Sequence, residues 1–453
     1  MKKLANKNIK KTLSVAGHQR ALKTYYLITI GCQMNQSDSE RLAAFLDGQG
    51  MRQLNSWLKS SLVIINTCGV RQMAEDRVYG LINQIRKENI RAQIVITGCL
   101  SRRPDVQKRL AGKVDLFLPI NEMLELPNFF DGRIFQPYFS LDEVRLKQGE
   151  RYLQIDPKHN SRFSAYVPIG NGCNNFCSYC VVPYARGREV YRSAADIIRE
   201  VKSLVGSGYQ EIILLAQNVN SYRSRDYDFS KLLARLIKIP GKFWLRFSSS
   251  HPKDMSSELI KIIASSDKIC SHLHLAVQSG DDKILRAMNR NYTVVQYKRL
   301  IKQVRVARPE IAITTDVIVG FPGETKAQFE NTKKLFREMD FDLAYIAQYS
   351  PRPGTVSAQM KDSVSQSEKK RRWQELNSLL TKSALKNNRA YLGREVEVLI
   401  EGKNRRGQYY GQTSSYKNVS LNAAPAGDLV GKFVMVQITK VFPFGLSGEF
   451  LSK

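Results

Sequence analysis

Nowhere in the 453 residues is there an apolar run long enough to cross a bilayer. The opening stretch, MKKLANKNIKKTLSVAGHQR, is basic but lacks the apolar segment of an export signal. Both absences predict a cytoplasmic protein with no membrane partner, kept in a reducing compartment. Seven cysteines, an odd number, are then expected to serve thiolate chemistry rather than a disulfide framework. Negative charge is also scarce: 41 Asp and Glu stand against 70 Lys and Arg, a formal +29. Such a field concentrates polyanions, and nucleic acid is their usual form; a general lysine bias of the proteome is the plainer alternative. With no repeat, no low-complexity tract, 43% apolar and 25% charged residues, the chain is not a disordered one.

What is present divides the chain into four parts. Residues 1–23 form a basic arm. Residues 24–140 carry three β-rich runs, YYLITI, SLVIIN and AQIVIT, separated by helix-compatible stretches, which predicts a parallel α/β sheet. A polar, irregular stretch around residues 127–160 reads as a linker. Residues 159–388 repeat the βα alternation six times, from FSAYVPIG to LAYIAQYS, closed by a charged helix from SEKKRRWQ to NNRAYL; this predicts a partial (β/α)6 barrel. In residues 389–453 the period changes to alternation in EVEVLI and FVMVQITKV, the pattern of a small antiparallel β domain that closes as a barrel.

The cysteines fall into two sets and a spare. Cys32, Cys68 and Cys99 follow the three N-terminal strand runs at the same offset (LITIGC, VIINTC, IVITGC). The carboxyl ends of parallel strands share one edge, so the three would converge there and hold an iron–sulfur cluster; three buried structural cysteines are the alternative. Gly31 and Gly98, preceding two of them, fit turns that let the backbone approach a bulky group. Cys173, Cys177 and Cys180 form a compact C-x3-C-x2-C run, NGCNNFCSYC, after the first barrel strand. Zinc would require a fourth protein ligand, and neither Cys270 nor any histidine stands at a fitting distance along the chain. Cys270 itself reads as a core residue. Three thiolates instead suggest a [4Fe–4S] cluster with one iron open to a non-protein ligand.

CNNFCSYC at that position resembles the radical S-adenosylmethionine (SAM) superfamily, in which SAM chelates the open iron. GCQMNQSDSE, NTCGVRQMAEDRVYG, CVVPYARGREVYRS, LLAQNVNSY, SSHP, HLAVQSGDD, DVIVGFPGET and SPRPGT resemble, in order and approximate spacing, the methylthiotransferase family. GCQMN and QNVNSY are similar to its branch acting on N6-isopentenylated adenosine 3′ of the tRNA anticodon. Branches acting on threonylcarbamoyladenosine tRNA or on ribosomal protein S12 are the alternatives, and a zinc-stapled, non-catalytic RNA-binding protein is a remoter one. Ala276, Asp281 and the segment GQTSSYKNVSL depart from the family's usual pattern.

The resemblance implies an N-terminal methylthiotransferase domain, a radical SAM barrel and a C-terminal TRAM domain. It implies two [4Fe–4S] clusters, an auxiliary one on Cys32, Cys68 and Cys99 and a SAM-binding one on Cys173, Cys177 and Cys180. Reductive cleavage of SAM would then generate a radical that takes hydrogen from C2 of the adenine, with sulfur from the auxiliary site and a methyl group from a further SAM. Tyr179 is expected to pack on the SAM adenine, or to be an ordinary loop aromatic. Gln217, Asn218 and Gln278 are expected at the SAM ribose or methionine end. Gly320 and Phe321, in GFPGET, would offer backbone to the adenine or simply turn the chain. His251 and Asp316 are weaker candidates, with satisfied buried polar residues as the alternative. Arg186 and Arg188 are expected at RNA phosphate or the SAM carboxylate, or in solvent. Lys403, Arg405, Arg406, Tyr409 and Tyr410 suit phosphate contacts and base stacking on an exposed loop, or a plain hairpin tip. The implied partners are tRNA, SAM and a one-electron donor, with the protein a monomer.

Overall fold

The computed structural model describes residues 23–70, 72–130, 151–422 and 427–451. The basic arm, apart from Lys23, and the middle of the linker lie outside these.

The first domain is a five-stranded, wholly parallel sheet. Its strands are β1 (Thr24–Ile30), β2 (Arg52–Gln53), β3 (Leu62–Thr67), β4 (Gln93–Gly98) and β5 (Leu116–Phe117), in the order β2-β1-β3-β4-β5. β3 is buried along its whole length, as a central strand covered on both faces must be. Helix Gln33–Gly48 packs on one face with Leu42, Leu46 and Leu62, and helix Gln72–Glu88 on the other with Val78, Ile82 and Ile85. The strand order reverses between β1 and β3, and at such a switch point a crevice opens outside the carboxyl ends.

The second domain begins with β6 (Ser164–Pro168). A short antiparallel ribbon, β7 (Gly170–Asn171) with β8 (Val190–Tyr191), frames the three-cysteine loop. The barrel continues through β9 (Glu211–Leu215), a small ribbon of β10 (Arg223–Ser224) and β11 (Tyr227–Asp228), β12 (Trp244–Phe247), β13 (His272–His274), β14 (Ala312–Val319) and β15 (Leu343–Gln348). β6, β9 and β12 pair in parallel, as do β13, β14 and β15. Single parallel bridges, Leu245 to Ile269 and Ser250 to Leu275, join the two groups into one six-stranded arc. Alternate residues such as Val167, Leu214, Leu245 and Ile313 face the outer helices and make the main core. Several helix starts carry side-chain caps: Ser193 accepts from the Asp196 amide, Thr293 and Thr325 close capping boxes with Gln296 and Gln328, and Asp281 caps Asp282–Ala287. Asp281 therefore anchors a helix, and Gln328 and Asn331 also donate to it.

The third domain is a closed barrel of β16 (Glu395–Lys403), β17 (Tyr409–Thr413), β18 (Asn418–Leu421), β19 (Phe433–Phe442) and β20 (Gly445–Phe450), in the order β16-β17-β18-β20-β19. The expectation of a purely antiparallel domain needs correction, because β18 and β20 run parallel. An odd number of strands cannot close a ring by alternation alone. This domain covers the amino ends of the second domain's strands. Tyr416 stacks on His272 with ring centroids 4.6 Å apart, Arg246 reaches the Thr413 carbonyl at 3.3 Å while paired with Glu211 at 2.8 Å, and Lys417 pairs with Asp342 at 2.6 Å. Cys270 is buried with Trp244 and Leu399 at this contact, so its place is in packing.

Candidate functional site: two three-cysteine loops

None of the seven cysteines, all among the described residues, is in a disulfide. In the first domain, Cys68 and Cys99 immediately follow β3 and β4, and Cys32 is the N-cap of helix Gln33–Gly48 just beyond β1. A polar ladder across the strand ends fixes them relative to one another. Asn35 accepts from the Cys32 amide at 3.2 Å and donates to Asn66 Oδ1 at 2.9 Å and to the Thr67 carbonyl at 3.1 Å. The Thr67 hydroxyl donates to the Thr97 carbonyl at 2.5 Å, and the Cys99 amide donates to the Thr67 carbonyl at 2.8 Å. Gly98 has φ of 79°, and a Cβ there would collide with the Thr67 carbonyl oxygen. The glycine is thus demanded by the neighbouring strand rather than by a ligand. Gly98→Ala is expected to cost about 1–3 kcal/mol, visible as a lowered melting temperature together with loss of bound iron.

In the second domain Gly172, at φ of 82°, lets the chain enter the cysteine loop where a Cβ would collide with the Arg188 carbonyl. The Cys173 amide donates to the Gly187 carbonyl at 3.1 Å and the Cys180 amide to the Cys177 carbonyl at 2.9 Å. Ser178 ties the loop to helix Asp282–Ala287 by donating to the Met288 and Ala287 carbonyls at 3.0 and 2.8 Å. Burial pushes the Cys180 thiol up to about 12, and the nearby Cys177 adds to the effect; burial raises Cys173 likewise. Gathered thiols that resist ionisation by themselves suit a cationic metal centre, which deprotonates its thiol ligands. Among the described residues no three His, Cys, Asp or Glu side chains close on a single ion.

The two loops are neighbours. Cys180 lies within electrostatic reach of Cys99, and Arg186 within reach of both Cys99 and Cys32. Met34, two residues past Cys32, packs on Ile213 and Leu215 of the barrel.

The strand ends around the second loop hold unpaired polar atoms. Gln217 Oε1 and Asn218 Oδ1 are buried without a hydrogen-bond partner, as is Ser250 Oγ. Buried unpaired acceptors cost about 1–3 kcal/mol each, so a ligand with donors, such as SAM with its ribose hydroxyls and ammonium, fits this rim. Asn218 Nδ2 is held by Asp254 at 2.7 Å. Gln278 and Ser249 both adopt left-handed backbone, φ of 70° and 66°, the kind of strain that clusters at ligand sites. Tyr179 packs with Phe321, Met288 and Tyr349. Gly320 at φ of 70° abuts the Lys369 side chain and donates its amide to Glu324 Oε2 at 2.6 Å, so that amide is already engaged. His251 accepts from the Lys253 amide, and burial with the nearby Arg290 and Lys253 charges pushes it down to about 2, so it stays neutral. Asp316 stands 3.3 Å from His274 Nε2 and is half-exposed.

Two expectations are overturned. Arg186 meets neither solvent nor a free anion: it is buried in an ion pair with Asp38 at 2.7 Å, both side chains 2% exposed. Arg188 by contrast is exposed, over the Phe176 ring. Tyr409 is 4% exposed and donates to the Gly427 carbonyl at 2.6 Å inside the small barrel, because alternation along β17 turns it inward. Tyr410 is 39% exposed, and Lys403, Arg405 and Arg406 are exposed beside it. Sequence reasoning missed Arg290, whose Nη1 approaches Cys177 Sγ at 3.6 Å, and the Asn35–Asn66 ladder. The MNRNYT stretch carries no signal for the first; Asn35 in GCQMN was visible as a motif without a role.

Three family models match: the Radical SAM superfamily over residues 167–336, the Uncharacterized protein family UPF0004 over 24–118, and the TRAM domain over 389–451. The chain is 42% identical over 440 residues to the tRNA-2-methylthio-N(6)-dimethylallyladenosine synthase of Carboxydothermus hydrogenoformans, covering 94% of this chain and 99% of that protein. It is 39% identical over 454 residues to the same-named protein of Clostridium tetani, covering 98% and 99%. Among solved structures, the radical S-adenosylmethionine methyltransferase TsrM of Kitasatospora setae superposes with a TM-score of 0.55 at 16% identity, covering 74% of this chain and 77% of that one, a likeness of fold. Identity at this level along nearly the full length of both chains, in a chain that also matches the three family models, places it in the tRNA-2-methylthio-N(6)-dimethylallyladenosine synthase family of radical SAM methylthiotransferases.

Proposed function

We propose that this protein converts N6-isopentenyladenosine at position 37 of tRNA into its 2-methylthio derivative, using SAM. The observation that carries the reading is the meeting of two three-cysteine loops, one from each α/β domain, at facing strand ends. Cys173, Cys177 and Cys180 hold the SAM-binding [4Fe–4S] cluster, and Cys32, Cys68 and Cys99 hold a second. When bound, these groups supply the electron that cleaves SAM and the sulfur that is inserted. The chain's own residues bind and orient. Gln217, Asn218 and Gln278 take the polar end of SAM, and Tyr179, backed by the buried Phe321, packs against its adenine. Arg290, held by the Ala276 carbonyl and Tyr292, fixes the side of the loop that carries Cys177. Covering the site with the first domain excludes water from a reactive carbon-centred species. The C2–H bond of adenine has no acidic proton, so a general base has nothing to remove there. The protein acts as a cytoplasmic monomer served by an external one-electron donor.

Lys403, Arg405, Arg406 and Tyr410 contact the tRNA from the third domain. Tyr410→Ala is expected to weaken tRNA binding by about 1–3 kcal/mol without changing the melting temperature. Tyr409→Ala is expected to destabilise the small barrel by about 3–5 kcal/mol. Equilibrium binding and thermal melts of the two variants separate these outcomes.

Nucleoside mass spectrometry tests the function. Reconstituted protein with SAM, reductant and isopentenylated tRNA yields 2-methylthio-N6-isopentenyladenosine. Methylthiolation only of threonylcarbamoyladenosine tRNA or of a ribosomal protein, or no methylthio product at all, contradicts the reading.

A further inference from the structure

Two buried arginines outside the SAM rim both reach from the second domain into the first. Arg186, at the end of the short helix Val182–Arg186 that follows the second cysteine loop, donates from Nη2 to Asp38 Oδ2 at 2.7 Å and from Nη1 to Asn171 Oδ1 at 3.0 Å. Asp38 also accepts from the Tyr152 hydroxyl at 3.3 Å. Arg352 lies beyond β15. It donates from Nη1 to Gln72 Oε1 at 2.8 Å and from Nη2 to the Val70 carbonyl at 2.9 Å, with Glu75 at 3.9 Å. β6 and β15 are the two free edges of the six-stranded arc, so one arginine leaves from each lip of the open barrel. The charges are placed with equal order. Arg186 stands within electrostatic reach of Cys99 and Cys32, and Arg352 within reach of Cys68.

We propose that Arg186 and Arg352 are positioning residues that form a two-point clasp. They tie both lips of the barrel to the first domain and so fix the separation between the two cysteine loops. They also set two guanidinium groups beside Cys32, Cys68 and Cys99, each facing a buried carboxylate, Asp38 at 2.7 Å and Glu75 at 3.9 Å; removing the cation alone leaves the carboxylate's charge to disfavour the reduced, more negative state of a cluster held there. The proposal rests on the reading that these three cysteines hold a cluster. A guanidinium suits the task because it donates along two directions at once, as both residues do here, and a lysine cannot reproduce that fork.

The test uses the full-length protein with Arg352→Gln, Arg352→Lys and Arg186→Gln. Since Arg186→Gln leaves the Asp38 charge buried without its cation, a variant carrying both Arg186→Gln and Asp38→Asn keeps exchange and coupling readable if the single variant does not fold; it removes a charge of each sign, so its potential should stay near wild type. Three quantities are read: hydrogen exchange at residues 68–76 and 182–188, the midpoint potential of the auxiliary cluster, and SAM consumed per methylthiolated nucleoside. Expected results are faster exchange at the clasped segments in all glutamine variants and a more negative potential in the single ones. SAM consumption per product should rise by about tenfold, because small misplacements of reacting groups are costly. Arg352→Lys should restore most of the potential but not the coupling. Unchanged potential and coupling in folded single glutamine variants, or unchanged exchange and coupling in the double variant, would overturn the proposal. Wild-type protein that binds only one cluster would overturn the underlying reading and the electrostatic half with it. Hydrogen exchange still decides the mechanical half in that case.

Discussion

Replacing Cys177 by alanine is expected to abolish 5′-deoxyadenosine formation, by ~10^4-fold or more, since the cluster thiolates act as a unit and no other group supplies the electron to SAM. Cys177 is the cysteine of its loop that Arg290 approaches, and it contributes to the raised Cys180 thiol. Its loss therefore leaves the other two thiols without a closed site. Iron should fall by about half, because the first domain's ladder of Asn35, Asn66 and Thr67 does not depend on it. Liquid chromatography of quenched reactions, with iron analysis of the same preparation, reads both quantities. Normal SAM cleavage in the variant would remove Cys177 from the cluster.

Cys68→Ala should behave differently. Iron again falls by about half and methylthio product disappears, yet SAM cleavage continues within about tenfold of wild type. Cys68 immediately follows β3 in the first domain, outside the Cys173–Cys180 loop, with Arg352 within electrostatic reach. If the variant lost SAM cleavage as fully as Cys177→Ala, the division of labour between the loops would be wrong.

Much of this architecture is legible in the amino-acid sequence alone. Three strand runs ending in cysteine at one offset locate β1, β3 and β4 and their shared edge, because a buried parallel strand is a continuous apolar run that little else imitates. The six barrel strands and the long helix Gln366–Arg389 are visible for the same reason and from helical periodicity. What is not legible depends on contacts between distant residues. Arg186 looks like a lone cation in YARGRE because its partner Asp38 is 148 residues away. Tyr409 and Tyr410 look equivalent as adjacent aromatics, and only the face of β17 that each occupies separates a core residue from a surface one. The odd-stranded closure of the last domain is hidden because two alternating runs specify strands but not which ones pair in parallel.

Iron and sulfide analysis with Mössbauer spectroscopy on two triple variants tests the central claim most directly. One carries Cys173→Ala, Cys177→Ala and Cys180→Ala; the other carries Cys32→Ala, Cys68→Ala and Cys99→Ala. Two independent three-thiolate sites predict that each triple variant retains about one [4Fe–4S] cluster, and that only the second binds and cleaves SAM. A first variant devoid of cluster, or a second variant that still makes methylthio product, would contradict the account.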